Sequence, residues 1–202
     1  GYLDHALRQS QRVGLLVHYS ETHDNERLAA KGRAWSLLRN RLCALASVHG
    51  AFGFTCGVEW LAPERVNVHS SRGLAWDSAD NIVSELSVLN RLLADHPCFF
   101  DGARLTRLSE PGSPVYGLRR VSAEGLDEVL VLANTDVASP QPLRLHADSL
   151  PSGANGGSAL VDLLDQEPPD FALKGANLIV TLPPAAVFCL ASSRGPRGLA
   201  GE

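Results

Sequence analysis

The residues richest in chemical possibility stand together: Ser20-Glu21-Thr22-His23-Asp24-Asn25-Glu26-Arg27 gathers three carboxylates, an imidazole and a guanidinium into eight positions. They follow closely on the apolar run Leu15-Leu16-Val17, which places the cluster in a loop after a strand. A loop at the carboxyl end of a parallel strand aims such groups into a common cleft without burying them in a core. There Asp24 can accept two hydroxyl hydrogen bonds at once, and His23 can donate another. The plain alternative is that Asp24 caps the turn that follows and His23 packs as an ordinary loop histidine.

Holding such a loop takes a sheet with helices behind it. Residues 2–12 read as a short amphipathic helix and residues 13–19 as a strand. Over residues 33–48 the positions Trp35, Leu38, Leu42 and Leu45 recur at helical spacing until Gly50 breaks the pattern. Residues 51–56, Ala-Phe-Gly-Phe-Thr-Cys, predict a second strand closed by Gly57. A long polar connection follows through Glu59, Arg65, His69 and Arg72, of a kind that is usually functional or mobile. Ile82, Leu86, Leu89 and Leu93 then define a last helix, started near Asp77 or Ser78 and stopped by His96-Pro97. Alternating elements of this kind predict parallel βα units. Two strands make no stable sheet, so the expectation is the last quarter of a larger parallel barrel or sheet whose other strands lie upstream.

Beyond Phe99-Phe100 the pattern changes to short strands, expected at residues 103–108, 115–121, 129–134, 143–146, 159–164, 178–182 and 187–191. Turn clusters such as Glu110-Pro111-Gly112-Ser113-Pro114 and Gly153-Ala154-Asn155-Gly156-Gly157 separate them, which predicts an antiparallel sandwich. Residues from Arg194 onward, rich in Gly and Arg, read as a frayed tail. The division is therefore residues 1–100 as the end of a barrel, 101–194 as the sandwich and 195–202 as a flexible tail.

The 202 residues, 45% hydrophobic and 20% charged, fit a folded globular chain, and no apolar run approaches the roughly 20 residues of a membrane helix. A net charge of −4 without a Lys/Arg block removes the footprint of a nucleic-acid or anionic-membrane binder and favours neutral ligands. Cys43, Cys56, Cys98 and Cys189 form no Cys-x-x-Cys pair and read as reduced, buried thiols. With no methionine, and helix-like text from Tyr2 onward, the start reads as cut; a cytoplasmic location is expected, with a targeting segment left open upstream. The histidines show no metal-ligand spacing, and no cofactor is expected.

The order of these features resembles glycoside hydrolase family 13, the α-amylase family. In that family a late barrel strand ends in a His-Asp pair with an arginine shortly after, as His23-Asp24 and Arg27 do here. The next landmark, a strand ending in Gly-x-Glu, is matched by Gly57-Val58-Glu59. A helix ending Leu89-Asn90-Arg91…His96-Pro97 follows, and the tail segment Val161-Asp162-Leu163-Leu164-Asp165-Gln166-Glu167 with Leu182-Pro183-Pro184 is similar to that family's C-terminal domain. The fold implied is α/β plus all-β: the last βα units of a (β/α)8 barrel followed by an antiparallel β-sandwich.

The resemblance implies a retaining mechanism on α-glucosidic bonds, with a carboxylate nucleophile and a carboxylic acid about 5–5.5 Å apart. Both would lie on earlier strands, since no Gly-x-Arg-x-Asp pattern occurs here. Asp24 would be the third carboxylate, holding hydroxyls of the reacting sugar and stabilising positive charge in the oxocarbenium-like transition state. His23 would bond the same sugar. Arg27 would hold Asp24 ionised and oriented, or form a structural ion pair. Trp60 would stack on a glucose ring or serve as a barrel-rim aromatic. Glu59 would face the cleft, orient Arg65 or cap a turn, and Trp76 would pack under the final helix. The implied partners are an α-glucan or maltooligosaccharide and the upstream barrel segment of the same parent chain.

Two other functions fit the same text. A non-catalytic carbohydrate-binding or structural sandwich module needs none of this chemistry, although residues 101–194 hold no tryptophan and only Tyr116 for sugar stacking. A metal-dependent phosphohydrolase also uses a His-Asp pair, but on a helix and with further ligands that this chain lacks.

Overall fold

The computed structural model describes residues 2–70, 73–154 and 160–198. Helix α1 (Tyr2–Val13) closes at Gly14, whose positive φ of 97° turns the chain while its N–H bonds Ser10 O. Strand β1 (His18–Tyr19), helix α2 (Arg33–Leu45), strand β2 (Phe52–Gly53) and helix α3 (Val83–Asp95) follow. The two strands pair in parallel, His18 opposite Phe52 and Tyr19 opposite Gly53. Both are shorter than expected. The alternate side chains Leu15, Val17 and Tyr19 are 70%, 52% and 57% exposed, and among the described residues no second strand pairs with β1. Helix α3 also starts later than its periodicity predicts. Asp77 has a left-handed φ of 59°, Arg33 bonds Asp80, the Asn81 carbonyl and Glu85, and Asn81 Oδ1 accepts the Val83 N–H, so residues 77–82 form a tethered connection.

Eight further strands lie among the described residues: β3 (Arg104–Arg107), β4 (Val115–Val121), β5 (Glu128–Asn134), β6 (Gln141–His146), β7 (Val161–Asp162), β8 (Phe171–Lys174), β9 (Asn177–Leu182) and β10 (Val187–Ala191). They build a five-stranded antiparallel sheet, β3-β4-β5-β10-β7, and a three-stranded one, β6-β9-β8. Alternation along β5 explains how these stack. Val129, Val131 and Ala133 join a core with Leu38, Leu42 and Leu45 of α2 and Leu86, Leu89 and Leu92 of α3. Leu130 and Leu132 face the other way, onto Leu143, Leu145, Leu178, Val180 and Leu182 of the smaller sheet. The large sheet is thus covered on both faces, which is why β10 is buried at all five positions.

Strand β8 was absent from the sequence expectations. It makes a hairpin with β9 through Gly175-Ala176, a two-residue loop with Gly175 at φ 62°. The strand expected at 159–164 contracts to β7, and Ala159 and the Asn155-Gly156-Gly157 part of the preceding turn cluster lie outside the described residues. The supposed frayed tail is fastened as far as it is described. Arg197 and Gly198 donate their N–H groups to Asp127 at 2.7 and 2.8 Å, and Arg194 pairs with Asp165 at 2.5 Å; residues 199–202 lie outside the described residues. Of the four free thiols, Cys98 and Cys189 are buried and Cys43 partly so, but Cys56 is exposed because β2 ends before it.

Candidate functional site

The loop after β1 is built around a buried pair. Glu21 and Arg27 meet at 3.1 Å with side chains 1% and 2% exposed, Glu21 also accepts the Leu28 N–H at 2.6 Å, and Arg27 donates to the Cys56 carbonyl at 2.9 Å. Burial pushes the Glu21 carboxyl above its ordinary range, while the Leu28 N–H and the Arg27 charge pull the other way. Thr55 Oγ1 donates to the Glu21 carbonyl at 3.1 Å, so the pair staples the first loop to the segment after β2. Ser20 continues the strand pairing by donating to Gly53 O, and its hydroxyl bonds Asn40 of α2 at 2.7 Å.

Between the staple's two ends the chain makes a tight turn, with Asn25 N donating to Thr22 O and its side-chain amide to Thr22 Oγ1. His23 and Asp24 occupy the tip. Their side chains are 51% and 82% exposed, with His23 Nε2 3.3 Å from Asp24 Oδ1. They line an open cleft of about 580 Å³ whose other walls are Arg65, Val66, Asn67, Val68 and His69. Arg65 donates to the backbone carbonyl of Asp24 at 3.3 Å, leaving the carboxylate to the cleft. Donors therefore predominate: a guanidinium, two imidazoles and an amide surround one carboxylate.

The segment after β2 has a local structure of its own. Ala62 N bonds Gly57 O and Leu61 N bonds Val58 O, the paired bonds of a Schellman turn, with Leu61 at φ 52° in the position glycine usually takes. Glu59 Oε2 folds back onto the Gly57 N–H at 3.0 Å, and the Glu59 carbonyl accepts the Ile82 N–H. Of the alternatives open in the sequence, Glu59 thus caps a turn.

The structure brings His23 and Asp24 together and keeps the other expected residues away from their cleft. Arg27 does not hold Asp24; a guanidinium this deeply buried needs a buried counter-charge, and Glu21 supplies it. Trp60 is half-buried and belongs to no wall of the cleft. Trp76 does not pack under the final helix: it is 54% exposed, because α3 begins seven residues later, at Val83. Asn67, Val66 and Val68 were missed as wall residues. The available signal was the long polar connection that holds Arg65 and His69. A second hollow of about 470 Å³ lies between Tyr19 of β1 and Trp35 and Arg39 of α2. Among the described residues no group of three or more His, Cys, Asp and Glu side chains is placed to hold a metal ion, and no helix is long and apolar enough to cross a membrane.

A helix-backed parallel pair leading into two stacked antiparallel sheets is a fold found among solved structures. An α-amylase from H.orenii is similar over 91% of this chain and 42% of its own, with a TM-score of 0.60 at 13% identity. A γ-CGTase from Alkalophilic bacillus clarkii matches over 86% of this chain and 25% of its own (TM-score 0.64, 14% identity), and an α-amylase from Lactobacillus plantarum over 93% and 42% (TM-score 0.63, 14% identity). The chain spans less than half the length of each. No family model matches the sequence, and no curated protein matches it.

Proposed function

We propose that this chain is the C-terminal part of an α-glucan-active glycoside hydrolase or glucanotransferase of the α-amylase type, residues 1–100 closing a (β/α)8 barrel and residues 101–194 forming its β-sandwich. The observation that carries the proposal is Asp24: a carboxylate on a turn tip at the carboxyl end of a parallel strand, 82% exposed and facing a cleft, with its backbone rather than its oxygens held by Arg65. In this role Asp24 accepts two hydroxyls of the reacting sugar and stabilises the positive charge that develops as the glycosidic bond breaks. His23 donates to the same ring. Arg27 takes a positioning role through Glu21, and the nucleophile and general acid come from preceding strands.

The exposed apolar stretch that leads into β1 supports a neighbouring strand. Leu15, Val17 and Tyr19 present an alternating apolar row beside an unpaired edge, and the hollow between Tyr19 and Trp35 opens on the same strand. A further barrel strand would pair with that edge, and the rest of the barrel would cover these side chains.

The test is Asp24→Ala in the full-length enzyme carrying this segment. Turnover on maltooligosaccharides falls by about 10²–10³-fold or more, as expected for a group that acts on transition-state charge, while thermal stability stays within about 0.5 kcal/mol because the side chain is exposed. Unchanged turnover ends the assignment.

A further inference from the structure

The connection from β2 to α3 lines the cleft together with the His23–Asp24 turn, and it is tied to itself at several points. Val58 and Ala62 are buried at its start, the Glu59 carbonyl accepts the Ile82 N–H at 2.8 Å, and Glu64 Oε2 accepts the Ala75 N–H at 3.1 Å. Asn67 Oδ1 accepts the His69 N–H at 3.0 Å. Glu64 immediately precedes Arg65, so the Ala75 bond steadies the backbone from which the Arg65 side chain starts. The turn is fixed differently. Its ends stand on the buried Glu21 and Arg27, but its tip, His23 and Asp24, reaches into solvent. Among the described residues one hydrogen bond joins that tip to the connection: Arg65 Nη2 donates to the Asp24 carbonyl at 3.3 Å.

A bond to that carbonyl acts on the peptide plane between Asp24 and Asn25, and so on the direction in which the Asp24 Cα–Cβ bond points. It uses none of the acceptors on the carboxylate, where His23 at 3.3 Å is the neighbouring polar side chain. The carboxylate is aimed without being occupied. Such aim matters for a group that acts on developing charge, because a displacement of about 1 Å near a reacting centre costs about a hundredfold in rate. Asn25 bonds Thr22 through its backbone and its side chain, which closes the turn on itself, and Arg65 attaches the closed turn to the wall across the cleft.

We infer that Arg65 is a positioning residue: by binding the Asp24 carbonyl it joins the turn to the connection after β2 and sets the angle at which the Asp24 carboxylate meets the sugar. It acts through Asp24 and touches no reacting atom. The inference deepens the α-glucan proposal and rests on it.

The experiment uses the full-length enzyme that carries this segment, with α-maltosyl fluoride as substrate, whose leaving group keeps the turnover of weak variants measurable. Arg65→Ala lowers kcat by about five- to fiftyfold, short of the loss for a full misplacement, and leaves KM within about twofold because the bond adds nothing to ground-state binding. Arg65→Lys restores most of the loss, since an ammonium also donates to a carbonyl. Melting temperatures hold within about 2 °C, because Arg65 and Asp24 are both exposed. The decisive comparison is Arg65→Ala in an Asp24→Ala enzyme: with no carboxylate left to aim, it lowers kcat by less than about twofold. The same loss in both backgrounds overturns the inference, because Arg65 then acts independently of Asp24. An unchanged kcat for Arg65→Ala overturns it as well, and with a raised KM makes Arg65 a ground-state binding group. Unchanged turnover in Asp24→Ala alone instead overturns the role of Asp24 on which the inference rests.

Discussion

Replacing Arg120 by methionine tests what joins the helical part of this chain to its sheets. Arg120 is completely buried on β4, and all four of its acceptors are carbonyl oxygens: Cys98 at 2.8 Å, Leu45 at 2.9 Å, Ser47 at 2.6 Å and Val48 at 3.4 Å. Three of these belong to the end of α2 and the residues just past it, where the helix dipole presents partial negative charge and its last carbonyls lack partners. The guanidinium also lies over the Phe99 ring at 4.4 Å. Burial lowers its pKa to about 10, so it remains charged at neutral pH. Methionine fills much of the volume but orphans three short bonds to a charged donor, each worth about 1.5–3 kcal/mol. Relief of the buried charge offsets part of that loss. The expected net cost is about 3–5 kcal/mol, a fall in Tm on the order of 10 °C for a chain of this size. Arg119→Met is the internal control: one residue earlier, on the opposite face, Arg119 meets Glu128 at 2.9 Å with its side chain 31% exposed, and should cost about 1 kcal/mol or less. Urea unfolding followed by circular dichroism measures both. An Arg120→Met protein within about 1 kcal/mol of the parent would show that desolvation cancels the bonds and refute the clamp.

His18 is buried with neither ring nitrogen hydrogen-bonded, and burial, the nearby Arg120 charge and His49 all lower its pKa below 6.5. The unfolded chain then takes up the proton first, so the His18 contribution is present above pH 6.5 and is lost as pH falls through the lower folded value. His18→Leu should flatten the fall in unfolding free energy between pH 7 and pH 5, leaving the part due to His96, which burial also lowers; an unchanged slope counts against it. Gly50→Ala should cost about 2 kcal/mol or more, because Gly50 sits at φ 69° and an added Cβ would lie 2.5 Å from the Phe99 carbonyl oxygen. A thermal melt unchanged by that substitution would show that the α2–β2 connection can move aside.

Much of this architecture was legible because burial imposes periodicity. The leucines of α2 and α3 recur at helical spacing since one stripe of each lies in the core against the large sheet, and β5 and β10 read as apolar runs because that sheet is covered on both faces. Where burial is absent, the text carries little. Strand β8 has three exposed residues out of four and is held mainly by its ladder with β9, so its signal was the Gly175-Ala176 turn rather than its side chains. The start of α3 was misread for a different reason. Asp77 and Ser78 are good caps by type, but Arg33, 47 residues before Asp80, tethers the intervening segment, and a contact that distant leaves no local trace.

The site shows the same limit at closer range. Arg27 stands three residues from Asp24 and six from Glu21, and sequence proximity favours the nearer partner. Burial decides otherwise: a guanidinium 2% exposed loses its water and must be neutralised by a carboxylate that has lost its own, whereas Asp24 keeps 82% of its side-chain surface in solvent and gains little from pairing. The outcome suits the proposed chemistry better than the expected pair does. A carboxylate tied to a buried arginine would have its oxygens already occupied, and a sugar hydroxyl would have to displace a charged donor to reach them. With Glu21 absorbing Arg27, and Arg65 bonded to the Asp24 backbone, the Asp24 oxygens face the cleft with only His23 beside them. The staple therefore fixes where the turn stands while leaving the Asp24 carboxylate available for its proposed role, and Glu21 rather than Asp24 holds the fold.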